Sequence, residues 1–281
     1  MEINKVGFLH PGEMGISLAN AAKSSDQEVF WCSAGRSQAT VDRANEYKLT
    51  ALNSLEELCS TCNIIISVCP PHAAAKQAQA VIDAGFKGIY ADVNAISPQS
   101  AKAIADSMEN AGIAFVDGGI VGLPAWKSNS TWLYLCGKQA ETIASCFTKG
   151  PLETTVIGEE IGKASALKMC FAANSKGVSA MLTAILATAE EFGVRDALEK
   201  QWDIYNPGFA LQSKTRIQTV ARKAWRFTGE MEEIAATFES VGLPPEFHLA
   251  AANIYARQTE FKDREEAPSI EEILATCLKK R

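Results

Sequence analysis

The sequence predicts an α/β fold, in which a doubly wound parallel sheet is followed by an all-α domain. Short apolar runs alternate with helix-compatible stretches up to about residue 160. Strands that alternate with helices at this spacing form a parallel sheet with helices on both faces. Beyond residue 161 the sequence shows no strand pattern. We therefore expect two domains, which comprise residues 1–160 and 161–281.

The composition is typical of a soluble globular protein. Hydrophobic residues make up 47% of the 281 positions, charged residues 21%, and the net charge is −6. This charge argues against nucleic acid or an anionic membrane as a partner. No uninterrupted apolar run approaches the roughly 20 residues of a membrane span, and neither a signal peptide nor a metal-ligand cluster is visible.

The cysteines favour a reducing, cytoplasmic environment. Four of them lie in or beside apolar runs, which predicts buried thiols, namely Cys32, Cys69, Cys136 and Cys170. Cys59 and Cys62 have C-x-x-C spacing, but no second pair or nearby histidine completes a zinc site. We interpret this pair as two thiols at a helix end.

The first element is a strand at residues 3–9, and a helix-compatible run at 16–23 follows it. A strand that turns on glycines into a helix leaves free backbone N–H groups at the N-terminus of that helix. A pyrophosphate can bind there. We expect this contact from His10, Pro11, Gly12, Glu13 and Met14, with Gly15 packing the helix against the strand. His10 replaces the first glycine of the G-x-G-x-x-G fingerprint, so this stretch alone suits an ordinary strand–turn–helix equally well.

Five more strands and several helices follow in order before the helical domain, with a last short strand near 155–157. The strands are predicted at 28–32, 64–68, 88–93, 113–117 and 131–136, and the helices after Ser37, Ser54, Pro71 and Ser97 and near 139–147. Ligands bind such sheets outside the carboxyl ends of the strands. The segments at those ends, predicted to wall one cleft, are 10–14, 33–37, 69–71, 94–97 and the glycine-rich loop 118–124.

The residues after the second strand favour NADP over NAD. An NAD site normally has an acidic residue here, which binds the ribose hydroxyls. This chain has Ser33, Arg36 and Ser37 instead, and a guanidinium flanked by hydroxyls suits a 2′-phosphate. The alternative is that Arg36 is a solvated arginine at a helix start.

A long helix is predicted over residues 161–192. Its polar side chains Ser165, Lys168, Ser175, Ser179 and Thr183 fall within roughly 80° of one another on an ideal helix. A lysine at the edge of a cleft can exchange protons near neutrality. The alternative is a snorkelling lysine, with the serines facing other helices.

Shorter helices are predicted at 195–202, 213–228, 231–240, 245–261 and 269–280. These helices are too short to cover the apolar surface of the long helix fully. We therefore expect a homodimer, in which the C-terminal helices of one subunit pack on the other.

Together these features resemble the β-hydroxyacid dehydrogenase superfamily, which includes 3-hydroxyisobutyrate dehydrogenase, 6-phosphogluconate dehydrogenase and the imine reductases. The resemblance rests on five segments in the family's order: 7–15 (G-F-L-H-P-G-E-M-G), 35–37 (G-R-S), 92–98 (D-V-N-A-I-S-P), 117–122 (D-G-G-I-V-G) and 162–168. Residues 223–248 are similar to a C-terminal helical domain of phosphogluconate-dehydrogenase-like proteins. The resemblance implies a Rossmann-type first domain and an NADP(H)-dependent oxidoreductase.

The resemblance also implies roles for individual residues. Lys168 would be the general acid and base, and Cys69, Pro70, Asn94 and Ile96 would lie near the nicotinamide. The implied substrate contacts are Asn94, Gly119, Val121, Gly122, Ala172, Ser175 and His248.

Two departures leave the substrate open. Val121 stands where the family usually has a serine, and Ala172 where it usually has an asparagine, so neither residue supplies the family's usual contact to a substrate carboxylate. Ser175 is the candidate replacement. The alternatives are an imine reductase, although those enzymes usually carry Asp or Tyr at the position of Lys168, and a non-catalytic NADP-binding sensor.

Overall fold

The computed structural model describes residues 3–262 and 264–279, which form two compact units. The first unit is Met1–Met169 and the second is Cys170–Arg281. The division falls after Met169, within the long helix, whereas the sequence predicted the domain boundary after residue 160.

The first unit is an eight-stranded sheet with helices on both faces. Its strands are β1 (Lys5–Phe8), β2 (Glu28–Cys32), β3 (Thr50–Leu52), β4 (Ile64–Ser67), β5 (Ile89–Asp92), β6 (Ala114–Gly122), β7 (Thr131–Cys136) and β8 (Leu152–Val156). Its helices are α1 (Glu13–Ser24), α2 (Gln38–Glu46), α3 (Leu55–Thr61), α4 (Ala74–Asp83), α5 (Pro98–Asn110) and α6 (Ala140–Ser145). The strand order is β3-β2-β1-β4-β5-β6-β7-β8, which confirms the predicted doubly wound sheet.

Three details of the sheet differ from the prediction. Strand β3 was not foreseen, because three residues give too short a pattern to recognise. Strand β6 extends through Gly122, whereas 118–124 was predicted to be a loop. Strand β7 runs antiparallel to β6, since the short connection between them contains no crossover helix.

The central strands are buried on both faces and divide the apolar core in two. Val6 and Phe8 of β1 point into one core, while Ile65 of the neighbouring β4 points into the other. Successive side chains of a strand alternate between faces, so each strand joins the helices above and below the sheet. This arrangement holds the carboxyl ends of β1, β4, β5 and β6 at one edge.

The long helix is not one continuous α-helix. It consists of α7 (Lys163–Ala172), a π-helical segment (Ala173–Gly177) and α8 (Val178–Glu191). The common face predicted for its five polar side chains assumed uniform α-helical periodicity. The angle of 100° per residue used for that prediction does not apply within a π segment, in which the hydrogen bonds connect residues i and i+5.

The same helix is the one described element long and apolar enough to cross a membrane, with a mean hydropathy of 1.2 in its most apolar window. Composition alone does not distinguish a membrane span from a core helix. Lys168 and Lys176 lie within it, and α8 packs on the helices of the second unit. The most apolar window is 39% buried, and a single helix of this kind is weak evidence for a membrane span.

The second unit is all-helical, as predicted. After α8 come α9 (Arg195–Tyr205), α10 (Phe209–Ala221), α11 (Ala224–Glu239), α12 (Glu246–Arg257) and α13 (Ile270–Leu278). The expected break between 228 and 231 is wrong, because Gly229 lies inside α11 and the chain breaks at residues 222–223 instead. A helical glycine costs about 1 kcal/mol relative to alanine, and the packing of α11 on α12 outweighs that cost.

Candidate functional site

The turn after β1 has the backbone that a pyrophosphate site requires. Helix α1 begins at Glu13, and a side chain on Gly15 would collide with the carbonyl oxygen of His10. A Cβ on Gly12 would meet no atom within 4 Å, so the space in front of the turn is open. The first N–H groups of a helix have no acceptor within that helix, and they face this space.

His10 is the unusual residue of this turn. Its ring is largely buried, and Nδ1 has no hydrogen-bond partner within the described residues. Burial, and secondarily the charge of Arg36, lower the pKa of His10 to about 4. The imidazole is therefore neutral at pH 7, and it adds no charge to the turn.

The residues after β2 include Arg36, whose guanidinium lies near the sheet edge formed by the carboxyl ends of the strands. Arg36 donates from Nε to the carbonyl of Cys32 at 3.4 Å, and its terminal nitrogens make no hydrogen bond to the described chain. The Ser33 hydroxyl donates to the carbonyl of Leu52 at 3.0 Å. Ser37 precedes α2 as predicted, but its hydroxyl meets Thr40 Oγ1 at 3.1 Å rather than a backbone amide.

Arg43 is a residue that the sequence reasoning missed. It lies on α2 and donates from Nη1 to the carbonyl of Pro11 at 3.2 Å. This bond ties α2 to the turn after β1 (residues 10–12), which we call the phosphate turn after the ligand that the sequence predicts for it. No sequence motif identified Arg43, because a single arginine within a helix is usually interpreted as a solvent-exposed side chain.

Asn94 joins the ends of β4 and β5. Its side-chain oxygen accepts from the Cys69 backbone N–H at 2.5 Å, and its amide nitrogen donates to Ser67 Oγ at 3.1 Å. Burial, and then the charge of Asp92, raise the pKa of Cys69 to about 12, so the thiol stays protonated. Of the neighbouring predicted contacts, Pro70 is exposed and Ile96 is buried in the core.

Asp117 anchors the start of α7 to the sheet. Its fully buried carboxylate accepts from the backbone N–H groups of Gly162 at 2.9 Å and Ser165 at 3.1 Å, and from Ser165 Oγ at 2.6 Å. The thiol of Cys136 also donates to it at 3.2 Å. Burial, with Asp117 as the next cause, raises the pKa of Cys136 to about 12.

Lys168 lies one turn further along α7, over Gly119. A Cβ on Gly119 would lie 2.6 Å from the carbonyl oxygen of Ala164 and 3.0 Å from Lys168 Cβ. Because Gly119 has no side chain, the stem of Lys168 can pack directly against its backbone. We call this contact surface on Gly119 the seat of Lys168. Since Gly119 belongs to β6, this seat lies toward the same sheet edge as the phosphate turn and Asn94.

The segment around the end of β6 is also tied to α1. Val121 is buried and offers no polar group, while Gly122 ends the strand. Beyond it, the backbone N–H of Ala125 donates to Ser17 Oγ at 2.9 Å. Gly119, Val121 and Gly122, three of the predicted substrate residues, thus lie on a strand whose end is tied to helix α1.

The other predicted substrate residues belong to the second unit. Ala172 is buried, and Ser175 lies in the π segment. His248 is 7% exposed, its Nδ1 has no partner within the described residues, and burial lowers its pKa. The His248 ring packs against Gly177 and edge-on against Phe238.

The cysteine prediction holds only in part. Cys32 and Cys136 are buried, Cys69 is half-buried and Cys170 is exposed. Within the described residues no group of three His, Cys, Asp or Glu side chains could hold a metal ion.

Comparison with known proteins identifies both parts of the chain. A family profile described as "NAD binding domain of 6-phosphogluconate dehydrogenase" matches residues 5–148. A second, "Domain of unknown function (DUF1932)", matches residues 189–258. An uncharacterized 28.5 kDa protein of the 7S RNA 5′ region in Methanothermus fervidus is 30% identical over 196 residues, which are 69% of this chain and 74% of that protein.

Solved structures share this architecture over nearly the whole chain. Conserved protein MTH1747, of unknown function and described as structurally similar to 3-hydroxyacid dehydrogenases, is 28% identical, with a TM-score of 0.68 over 92% of this chain and 97% of that one. Mycobacterium tuberculosis 3-hydroxyisobutyrate dehydrogenase, solved with L-serine, has 15% identity and a TM-score of 0.71 over 99% and 100% of the two chains. A reductive aminase from Aspergillus terreus, in complex with NADPH and ethyl levulinate, has 14% identity and a TM-score of 0.58 over 98% and 99%. The last two likenesses concern the fold alone.

Proposed function

Since this chain belongs to the β-hydroxyacid dehydrogenase superfamily, we propose that it transfers hydride between NADP(H) and a small hydroxy acid or its carbonyl counterpart. The family makes it a nicotinamide-dependent oxidoreductase, and the choice of NADP and of substrate is our proposal. The observation that carries it is the seating of Lys168 on Gly119, toward the sheet edge where the phosphate turn also lies.

The residues of the first unit fit a dinucleotide. The open space in front of Gly12 and the N-terminus of α1 suit the pyrophosphate, contacted by His10, Pro11, Glu13 and Met14. The free terminal nitrogens of Arg36, with Ser33 and Ser37 beside it, suit the 2′-phosphate. Cys69, Pro70, Asn94 and Ile96 define the region for the nicotinamide, and NADP(H) supplies or accepts the hydride when bound.

Lys168 is proposed to move the proton. During oxidation its side chain takes the proton of the substrate hydroxyl, and during reduction it returns a proton to the carbonyl oxygen. Asp117 holds the first turn of α7, and Gly119 supports the stem of Lys168, so these two residues set the position of the ammonium group. The predicted substrate contacts at Ala172, Ser175 and His248 remain predictions.

Reduction of an imine is the second candidate, because Val121 gives the end of β6 no hydroxyl for a substrate carboxylate. A neutral C=N substrate needs no such group. The two activities differ in the substrates that oxidise NADPH, so a panel of carbonyls, imines and hydroxy acids separates them. Absence of turnover with every member would favour a non-catalytic NADP-binding sensor.

The test of the proposed role is Lys168→Met, which keeps the length of the stem and removes the charge. We expect NADPH affinity to stay unchanged and kcat to fall by roughly two to four orders of magnitude. The pH profile of oxidation should also lose the limb that reports deprotonation of this lysine. Near-normal turnover would assign Lys168 a purely structural role.

We propose further that the protein is a cytoplasmic homodimer. One face of α8 and its C-cap residue expose apolar side chains at helical spacing, namely Val178 (40%), Met181 (49%), Ile185 (37%) and the C-cap Phe192 (76%). An apolar stripe of this kind is covered in the functional state of a soluble protein. A second copy of the chain is the proposed cover, as the length of the apolar helix suggested.

A further inference from the structure

We propose a second small-molecule site in the helical unit, which takes an amphipathic monocarboxylate. The site is a groove of about 730 Å³ along the π segment, α8 and α10. Ser175, Ser179 and Arg216 are among its polar lining residues, and Leu182, Phe209 and Leu211 form an apolar wall. Ligand sites in proteins typically enclose about 300–1,000 Å³ and combine apolar walls with a few polar groups.

The π segment explains why Arg216 is fixed in this groove. Its Nη2 donates to the carbonyls of Asn174 at 2.6 Å and Ser175 at 2.8 Å, and its Nε donates to Ser179 Oγ at 2.8 Å. A π-helical segment disrupts the regular α-helical bonds, and the guanidinium satisfies two of its carbonyls. The backbone of the helix thus sets the orientation of the arginine before any ligand arrives.

Arg216 keeps donors for a ligand. Its Nη1 makes no hydrogen bond to the described chain, and the hydroxyl of Ser175 makes none either. Arg216 is also the one ionisable residue among the described residues that line the groove. The groove therefore has a net positive charge with no carboxylate to neutralise it, which favours an anion.

The apolar wall selects the rest of the ligand. Leu182, Phe209 and Leu211 line the groove beside this single charge. One cation with two unused N–H donors matches one carboxylate, and the wall matches a hydrocarbon chain of several carbons. This inference rests on Arg216 and on the apolar wall, which the proposed oxidoreductase site does not use; Ser175 is the one residue of the argument that both sites share.

The experiment is isothermal titration calorimetry of the full chain with octanoate and with octanamide, its uncharged counterpart. We expect octanoate to bind and octanamide to bind at least 10-fold more weakly. Arg216→Gln should weaken octanoate binding by about 10- to 100-fold, the range for loss of a charge-assisted hydrogen bond. Lys214→Met is the matched control, since it removes a positive charge from α10 at a residue outside the groove, and it should leave binding unchanged.

A second variant covers the case in which Arg216→Gln loosens the π segment. Thr219 lines the groove and is exposed, so Thr219→Trp should block the groove and abolish octanoate binding without unfolding the protein. Equal binding of octanoate and octanamide, or unchanged octanoate binding in both variants, would overturn the proposal. Light scattering that shows Thr219→Trp turning a dimer into a monomer would overturn it too, because a second copy would then occupy the groove.

Discussion

Gly119→Ala tests whether the seat of Lys168 matters for catalysis. The added Cβ would lie 2.6 Å from the Ala164 carbonyl oxygen, about 0.8 Å short of the 3.4 Å at which ordinary contact begins. It would also lie 3.0 Å from Lys168 Cβ. The first turns of α7 must therefore move away from β6 by several tenths of an ångström, and they carry Lys168 with them.

The size of the effect follows from this displacement. A misplacement of 1 Å in an active site can cost about 100-fold in rate, so for about 0.4–0.8 Å we expect kcat to fall by roughly 5- to 40-fold. Overpacking of a buried position also destabilises a protein by about 1–3 kcal/mol. Steady-state kinetics with NADPH and chemical denaturation measure the two effects separately.

Gly118→Ala is the matched control for the general cost of overpacking. A Cβ at residue 118 would lie 2.5 Å from Val93 Cγ1, and neighbouring residues of a strand point to opposite faces. This variant should lose comparable stability and keep its kcat. Equal losses of kcat in the two variants would refute a specific role for the seat. So would a further large loss when Gly119→Ala is added to Lys168→Met, because the alanine would then act independently of the lysine.

Three other predictions concern the cofactor, the assembly and the phosphate turn. Arg36→Ala should weaken NADPH binding about 10-fold or more and leave NADH binding nearly unchanged, as measured by fluorescence titration; equal losses for both cofactors would contradict the 2′-phosphate assignment. Light scattering at micromolar concentration should give the mass of a dimer, and Ile185→Glu should yield monomers. A monomeric wild-type protein would exclude a second copy of the chain as the cover of α8. Because the pKa of His10 is about 4 in the fold and near 6.5 in the unfolded chain, the unfolded state binds the extra proton between these values. Stability should therefore fall as the pH drops from 6.5 to 4, and His10→Gln should flatten this decline in denaturation measured across that range; an unchanged decline would show that other groups cause it.

Patterns of local sequence were enough to predict the architecture. Alternating apolar runs and helix signals placed seven of the eight strands, and the glycines after β1 placed the phosphate turn. Capping residues placed helix starts, since Ser54 and Ser97 each accept a hydrogen bond from a backbone amide of the helix that follows. These features depend on residues close in sequence, so the sequence displays them directly.

The candidate site was predictable in its residue types and less so in its contacts. Asn94 was expected beside the nicotinamide, but its bonds to Cys69 and Ser67 join two strands that lie far apart in sequence. Arg43 was missed for the same reason, because its partner Pro11 belongs to a different element. Pairings of this kind depend on strand order and helix packing, which one sequence does not encode in any local pattern.

The sequence by itself determined the general architecture of the sheet and the position of the turn after β1, and it singled out Lys168 as the candidate for proton transfer. The tertiary structure decided how that lysine is held: Asp117 caps the start of its helix, and Gly119 gives its stem room against β6. It also decided that the long helix contains a π segment, where Arg216 binds two carbonyls from a separate helix. The physical reason is that side-chain periodicity reports which face of an element is buried, whereas the partner on that face is set by contacts between distant parts of the chain.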